Sequence, residues 1–186
     1  AVAAETPTTE VQHRLPAMAS VFPQGANPGA TVRVEVLGEH MDRAQAVFFL
    51  DESIRARILQ TEHTRLELEF EVSSQAAWGP HYFRIVSPRG TSNILLFRVG
   101  DQPHLIEHEP NSTRAQAERV NIPVTINGRL NVDGDFDFYK FHAETGQSWI
   151  FDLRAARNGN GLDAALILMD VEGRKLAHSE ERFIWD

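Results

Sequence analysis

Between Thr31 and Val99 apolar and polar residues alternate at a period of two. Val32, Val34 and Val36 are interleaved with Arg33 and Glu35, and Leu66, Leu68, Phe70 and Val72 with Arg65, Glu67, Glu69 and Glu71. Alternation puts successive side chains on opposite faces of an extended chain, so each run predicts a strand with one buried face. Further strands are predicted from Ala46 (AVFFL), Ser53 (SIRARIL), Trp78 (WGPHYFRIV) and Ser92 (SNILLFRV), the last two joined by the turn SPRG with Pro88 and Gly90. Val21 and Phe22 form a strand before the turn Gln24 to Gly29. About seven short strands separated by turn signals predict an antiparallel sandwich, and no helical period competes with it. Residues 1–18 carry no sustained period and are expected to be an extended tail.

After the linker GDQPH, Gly100 to His104, the pattern resumes less regularly. Strand candidates are VNIPVTI, FDFYKF, QSWIFDLRA, DAALILMD and the run VEG into RKLAHS. Asn127-Gly128 between apolar runs predicts a hairpin. Thr113 to Glu118 suggests a helical turn. Phe136, Phe138, Tyr139, Phe141, Trp149 and Phe151 are expected in the core, and Trp78 and Trp185 are the aromatics least constrained by strand period. The predicted fold class is all-β, with two β-sandwich domains in tandem over 19–101 and 102–186.

The 186 residues can bury a substantial core, and 42% hydrophobic with 24% charged residues is ordinary for a globular protein. A formal net charge of −8 argues against nucleic-acid binding, which needs basic surface, and favours cations. No apolar run approaches the roughly 20 residues that span a bilayer. With no cysteine, disulfides and thiolate metal sites are excluded. The opening AVAAETPTTEVQ has the small, polar composition of a mature exported N-terminus.

Two acidic clusters carry the candidate chemistry: Glu107, Glu109 and Asn111, then Asp133, Asp135 and Asp137. At alternate positions their oxygens share one side of the chain, and two such faces brought together suit a hard cation such as calcium. The alternative is that these acids solvate loop ends. A helix-loop-helix calcium loop starting at Asp133 is rejected, because Phe138 stands where glycine is required and the flanks read as strands. His104-Leu105-Ile106-Glu107-His108 matches the H-x-x-E-H pattern of zinc peptidases, but Pro103 and Pro110 bracket it too closely for the helix that chemistry needs. No nucleophile elbow, phosphate loop or dinucleotide fingerprint is present, and no catalytic residue is assigned. Asn111-Ser112-Thr113 is formally a glycosylation sequon.

The segments FPQGANPGATVRVEVLGEHM (Phe22 to Met41) and GPHYFRIVSPRGTSNILLFRV (Gly79 to Val99) resemble the IPT/TIG family of immunoglobulin-like domains. That resemblance implies an immunoglobulin-like sandwich acting as a spacer or binding module. EHEPNST (Glu107 to Thr113), IPVTINGRL (Ile122 to Leu130), DFDFYKF (Asp135 to Phe141), GQSWIFDL (Gly146 to Leu153) and DAALILMDVEGRKLA (Asp163 to Ala177) resemble, in order, the bacterial pre-peptidase C-terminal domain. This family includes the collagen-binding domains of clostridial collagenases. The resemblance implies a jelly-roll-like sandwich and calcium held by Glu107, Glu109, Asn111, Asp135 and Asp137, with Asp133 a weaker ligand. Family members continue through an acidic loop and a closing strand, so the second sandwich is expected to be incomplete at Asp186, with further domains or a partner chain completing it.

The resulting expectation is a non-catalytic binding or spacer region of an exported bacterial protein, secreted, periplasmic or at the cell surface, with a polysaccharide or protein partner. The competing class is an accessory region of a secreted peptidase or other hydrolase whose catalytic domain lies outside this chain.

Overall fold

A computed structural model describes residues 14–130, 132, 134–155 and 164–180. The first nine strands are β1 (Ala17–Phe22), β2 (Gly25–Ala26), β3 (Thr31–Glu39), β4 (Ala46–Phe49), β5 (Ile54–Thr61), β6 (Arg65–Val72), β7 (Gly79–Ser87), β8 (Gly90–Thr91) and β9 (Leu95–Val99). One sheet has the order β1-β3-β6-β5, and the facing sheet β2-β9-β7-β4 with β8 on the end of β7. The chain changes sheets between β1 and β3, where β2 pairs parallel to β9.

Register explains the burial. Val32, Val34 and Val36 of β3 stand opposite Phe70, Leu68 and Leu66 of β6, so the two apolar faces coincide. On the outer face Glu35 opposes Glu67, a like-charge pair that Arg65 offsets by meeting Glu35 at 2.5 Å and Glu67 at 2.9 Å. Between the sheets, Phe70 packs edge to face on Phe49, Phe83 and Phe97, with ring centroids 5.0, 5.5 and 5.1 Å away. The predicted strands of this half are all present. Its first strand begins at Ala17, and Met18 is already buried in the core. Residues 1–13 of the expected tail lie outside the described residues.

The second half is also built of strands, apart from one 3-10 turn at Arg114–Gln116, inside the predicted helical turn. Its strands are β10 (His104–Ile106), β11 (Glu118–Arg119), β12 (Thr125–Asn127), β13 (Tyr139–Lys140), β14 (Ala165–Met169) and β15 (Lys175–Glu180). They form three two-stranded sheets: β10 parallel to β12, β11 parallel to β13, and β14 antiparallel to β15. The Asn127-Gly128 hairpin does not form among the described residues. Asn127 ends β12 and instead binds backward, accepting the Gln24 N–H at 3.0 Å.

The run from Gln147 to Ala155 is not a strand, and Ile150 within it is 95% exposed. Phe136, Trp149 and Phe151 are exposed rather than in the core, because among the described residues no second apolar layer faces them. Only Val120 and Ala155 are fully buried apolar residues in this half, as described.

The two halves meet through directed polar contacts. The Asn27 amide donates to the carbonyls of Gly100 and Gln102 at 3.1 and 2.8 Å, and its oxygen accepts the His104 N–H at 3.1 Å. The Arg129 guanidinium lies 3.8 Å from the centre of the Phe22 ring and meets Glu35 at 2.8 Å.

Because Phe70 is the shared partner of three rings, Phe70→Ala should cost roughly 3–5 kcal/mol. Chemical denaturation of the wild type and the variant measures this, with the loss expected in the transition of the N-terminal half.

Candidate metal centre

The centre forms where β10 runs out. The Glu107 N–H donates to the Asn127 carbonyl at 3.1 Å, extending the β10–β12 ladder by one bond and aiming the Glu107 side chain across β12. One carboxylate oxygen accepts the Arg129 N–H, and the other accepts the Tyr139 hydroxyl at 2.7 Å. Gly128 makes this approach possible. A Cβ there would stand 2.8 Å from Glu107 Oε2 and 3.0 Å from the Tyr139 hydroxyl.

Glu109 and Asn111 flank Pro110 in the following loop. The Asn111 N–H donates to Glu109 Oε2 at 2.9 Å, and the Asn111 carbonyl accepts the Phe138 N–H at 2.9 Å. This second bond joins the first acidic segment to the DFDFYKF run and brings Asp137 alongside. Oxygens of Glu107, Glu109 and Asp137 then lie within 4.8 Å of one another. Asp135 is half-buried, and its Oδ1 accepts the Phe136 N–H at 2.9 Å. Asp133 lies outside the described residues.

Of the five expected ligands, three carboxylates converge and Asn111 is wholly buried beside them. Both side-chain atoms of Asn111 and one oxygen of Asp137 are shut from solvent without a hydrogen-bond partner. Buried polar atoms of this kind ordinarily find a partner, so their orphaning here fits a site built to hold an ion. The donor set is all oxygen, the chemistry of a hard cation, which takes about six to eight such ligands.

The electrostatics agree with the geometry. Burial, then the charges of Glu107, Asp135 and Glu109, push the Asp137 carboxyl up to about 7. Burial and the hydrogen bond to Glu107 hold the Tyr139 phenol far above its ordinary range, so it serves Glu107 only as a donor.

The H-x-x-E-H motif is not assembled as a zinc site. His104 lies on a strand and faces Asn127, whereas His108 turns away to Glu118 at 2.7 Å. Sequence reading missed the supporting residues. Tyr139 was expected in the core and Gly128 in a hairpin turn, yet one donates to Glu107 and the other makes room for it. Only their spacing after the acidic segment could have signalled this.

A carboxyl whose folded value is raised from 3.8 to about 7 holds its proton more tightly when folded. Its contribution is therefore favourable in acid and is lost as the pH rises between those values. In chelator at pH 8, Asp137→Asn should melt higher than the wild type, and the difference should vanish by pH 4. A variant melting lower at pH 8 would contradict this electrostatic reading.

No protein-family model matches the chain, and no curated protein matches it. Among solved structures, the chain is similar to SGBP-B of the Bacteroides ovatus mixed-linkage glucan utilization locus, in complex with a mixed-linkage heptasaccharide. The identity is 14% and the TM-score 0.36, over 57% of this chain and 25% of that one. The aligned part thus spans a quarter of the length of that protein.

Proposed function

We propose that this chain is a non-catalytic pair of β modules from an exported bacterial protein, which binds calcium at the start of its second half and engages a polysaccharide or protein partner. Glu107, Glu109 and Asp137 are the charged ligands. Asn111 Oδ1 and Asp135 complete the shell after small side-chain rotations, with backbone carbonyls or water filling the remainder. The observation that carries the reading is the convergence of three carboxylates beside the orphaned amide of Asn111. Calcium would offset the repulsion that now keeps a proton on Asp137 and would cross-link the segment after β10 to the run before β13.

Two surfaces support a binding or spacer role. On the outer face of the β2-β9-β7-β4 sheet, Phe48, Leu50 and Tyr82 are exposed, with Trp78 71% exposed at the start of β7. Aromatic rings on an open sheet suit the apolar faces of sugars or an apolar protein surface. In the second half Val132, Ile150, Val171 and Leu176 stand in solvent. Further β-structure, from the same polypeptide or a partner chain, is the cover that chemistry calls for.

Thermal melting with and without calcium tests the reading. Calcium at a hundredfold excess over its dissociation constant adds about 2.7 kcal/mol, worth several degrees. Melting of the second half should rise accordingly, and Glu107→Gln and Gly128→Ala should each abolish the rise. An unchanged melting temperature at millimolar calcium removes the metal from this account.

A further inference from the structure

His104, the first histidine of the H-x-x-E-H motif, stands at the seam between the two halves. The Asn127 Oδ1 accepts the backbone N–H of Gln24 at 3.0 Å, which fixes the orientation of the amide, because only its oxygen can face a donor. The other end of the amide, Nδ2, is therefore the atom 3.2 Å from His104 Nδ1. An N–H donor there requires a lone pair on Nδ1, so the ring is neutral with its proton on Nε2.

Nε2 in turn is sealed from solvent with no partner in hydrogen-bond geometry. The ring fits because its neighbours are glycines: a Cβ on Gly100 would stand 2.6 Å from Nε2, and one on Gly25 2.9 Å from Cε1.

We propose that His104 is a pH-sensitive clasp between the halves, closed while the ring is neutral and opened when a proton on Nδ1 confronts the Asn127 amide group. Opening would release three ties together: the His104–Asn127 contact, the Asn127 bond to Gln24 and the Asn27 bond to the His104 N–H. Burial lowers the ring from its ordinary 6.5, outweighing the smaller opposite effect of the Gly25 backbone.

The surroundings supply no compensating anion. Strand β2 brings no charged residue, and β9 brings Arg98, whose backbone carbonyl lies over Gly25. The linker brings Asp101, which accepts from Gln102 Nε2. Strand β12 has no charged residue and leads to Arg129, engaged with Glu35 and Phe22. Strand β10 leads to Glu107, engaged with the Arg129 N–H and Tyr139. None of these is an ion-pair partner of the His104 ring.

The sign follows from linkage. A histidine held below its unfolded value favours the closed seam fully above pH 6.5, and this is lost as the pH falls below that value. Asp137 acts in the opposite direction, because protonation relieves its repulsion, so the two titrations are distinguishable.

The test uses the full chain in chelator, with the ring resonances of His104 followed by NMR and the separation of the halves by small-angle scattering between pH 8 and pH 5. The expected result is the Nε2–H tautomer at pH 8, a midpoint below 6.5, and a rise in the radius of gyration that tracks that titration. Asn127→Asp keeps an acceptor for Gln24 but turns the donor into an acceptor. It should raise the His104 midpoint by about 1 unit or more and hold the seam closed at pH 5. His104→Phe, a ring that takes no proton, should also stay closed. An Nδ1–H tautomer at pH 8, a wild-type midpoint at or above 6.5, or acid opening that survives in either variant would overturn the proposal.

Discussion

Three carboxylates held within 4.8 Å of one another set the terms for the second half of this protein. Like charges at that distance in a partly desolvated pocket repel strongly, and the molecule relieves the cost in two visible ways. Asp137 keeps a proton up to about 7, and Glu107 gathers the Arg129 N–H and the Tyr139 hydroxyl on its two oxygens. Glu107 also joins β10 and β12 to β13, so the group that suffers the repulsion is the one that organises the local fold. With Val120 and Ala155 the only fully buried apolar side chains described in this half, such polar ties carry much of its shape.

The first half rests on a different principle. Its two sheets enclose a continuous apolar core centred on Phe70, and its register follows from matching apolar faces. The halves are joined by short, directed contacts around Asn27, His104, Asn127 and Arg129. Arg129 serves both regions. Its N–H supports Glu107, while its guanidinium sits on Phe22 and Glu35, so the acidic pocket and the seam share a residue.

Much of this was legible in the sequence where one rule dominated. Alternation in β3, β6, β7 and β9 is unambiguous because each has a buried face, and the structure places those strands as read. The acidic residues could be singled out because carboxylates at alternate positions share a side, and three of them converge. Asn127-Gly128 misled because turn propensity is local, whereas Asn127 is engaged by Gln24 about a hundred residues earlier. The Gln147 to Ala155 run failed for a related reason: alternation reports a face able to be buried but does not supply the layer that buries it. Tyr139 shows the same limit in the pocket, since its period marks it as core and only the fold reveals the carboxylate its hydroxyl reaches.

The most direct test of the account is the number of protons displaced when calcium binds, obtained by titration calorimetry in buffers of differing ionisation enthalpy. Because a cation requires the charged form of Asp137, binding should release close to one proton at pH 6 and almost none at pH 8.5. Absence of binding heat at both pH values, or binding with no proton release at pH 6, would contradict a calcium site built on Glu107, Glu109 and Asp137.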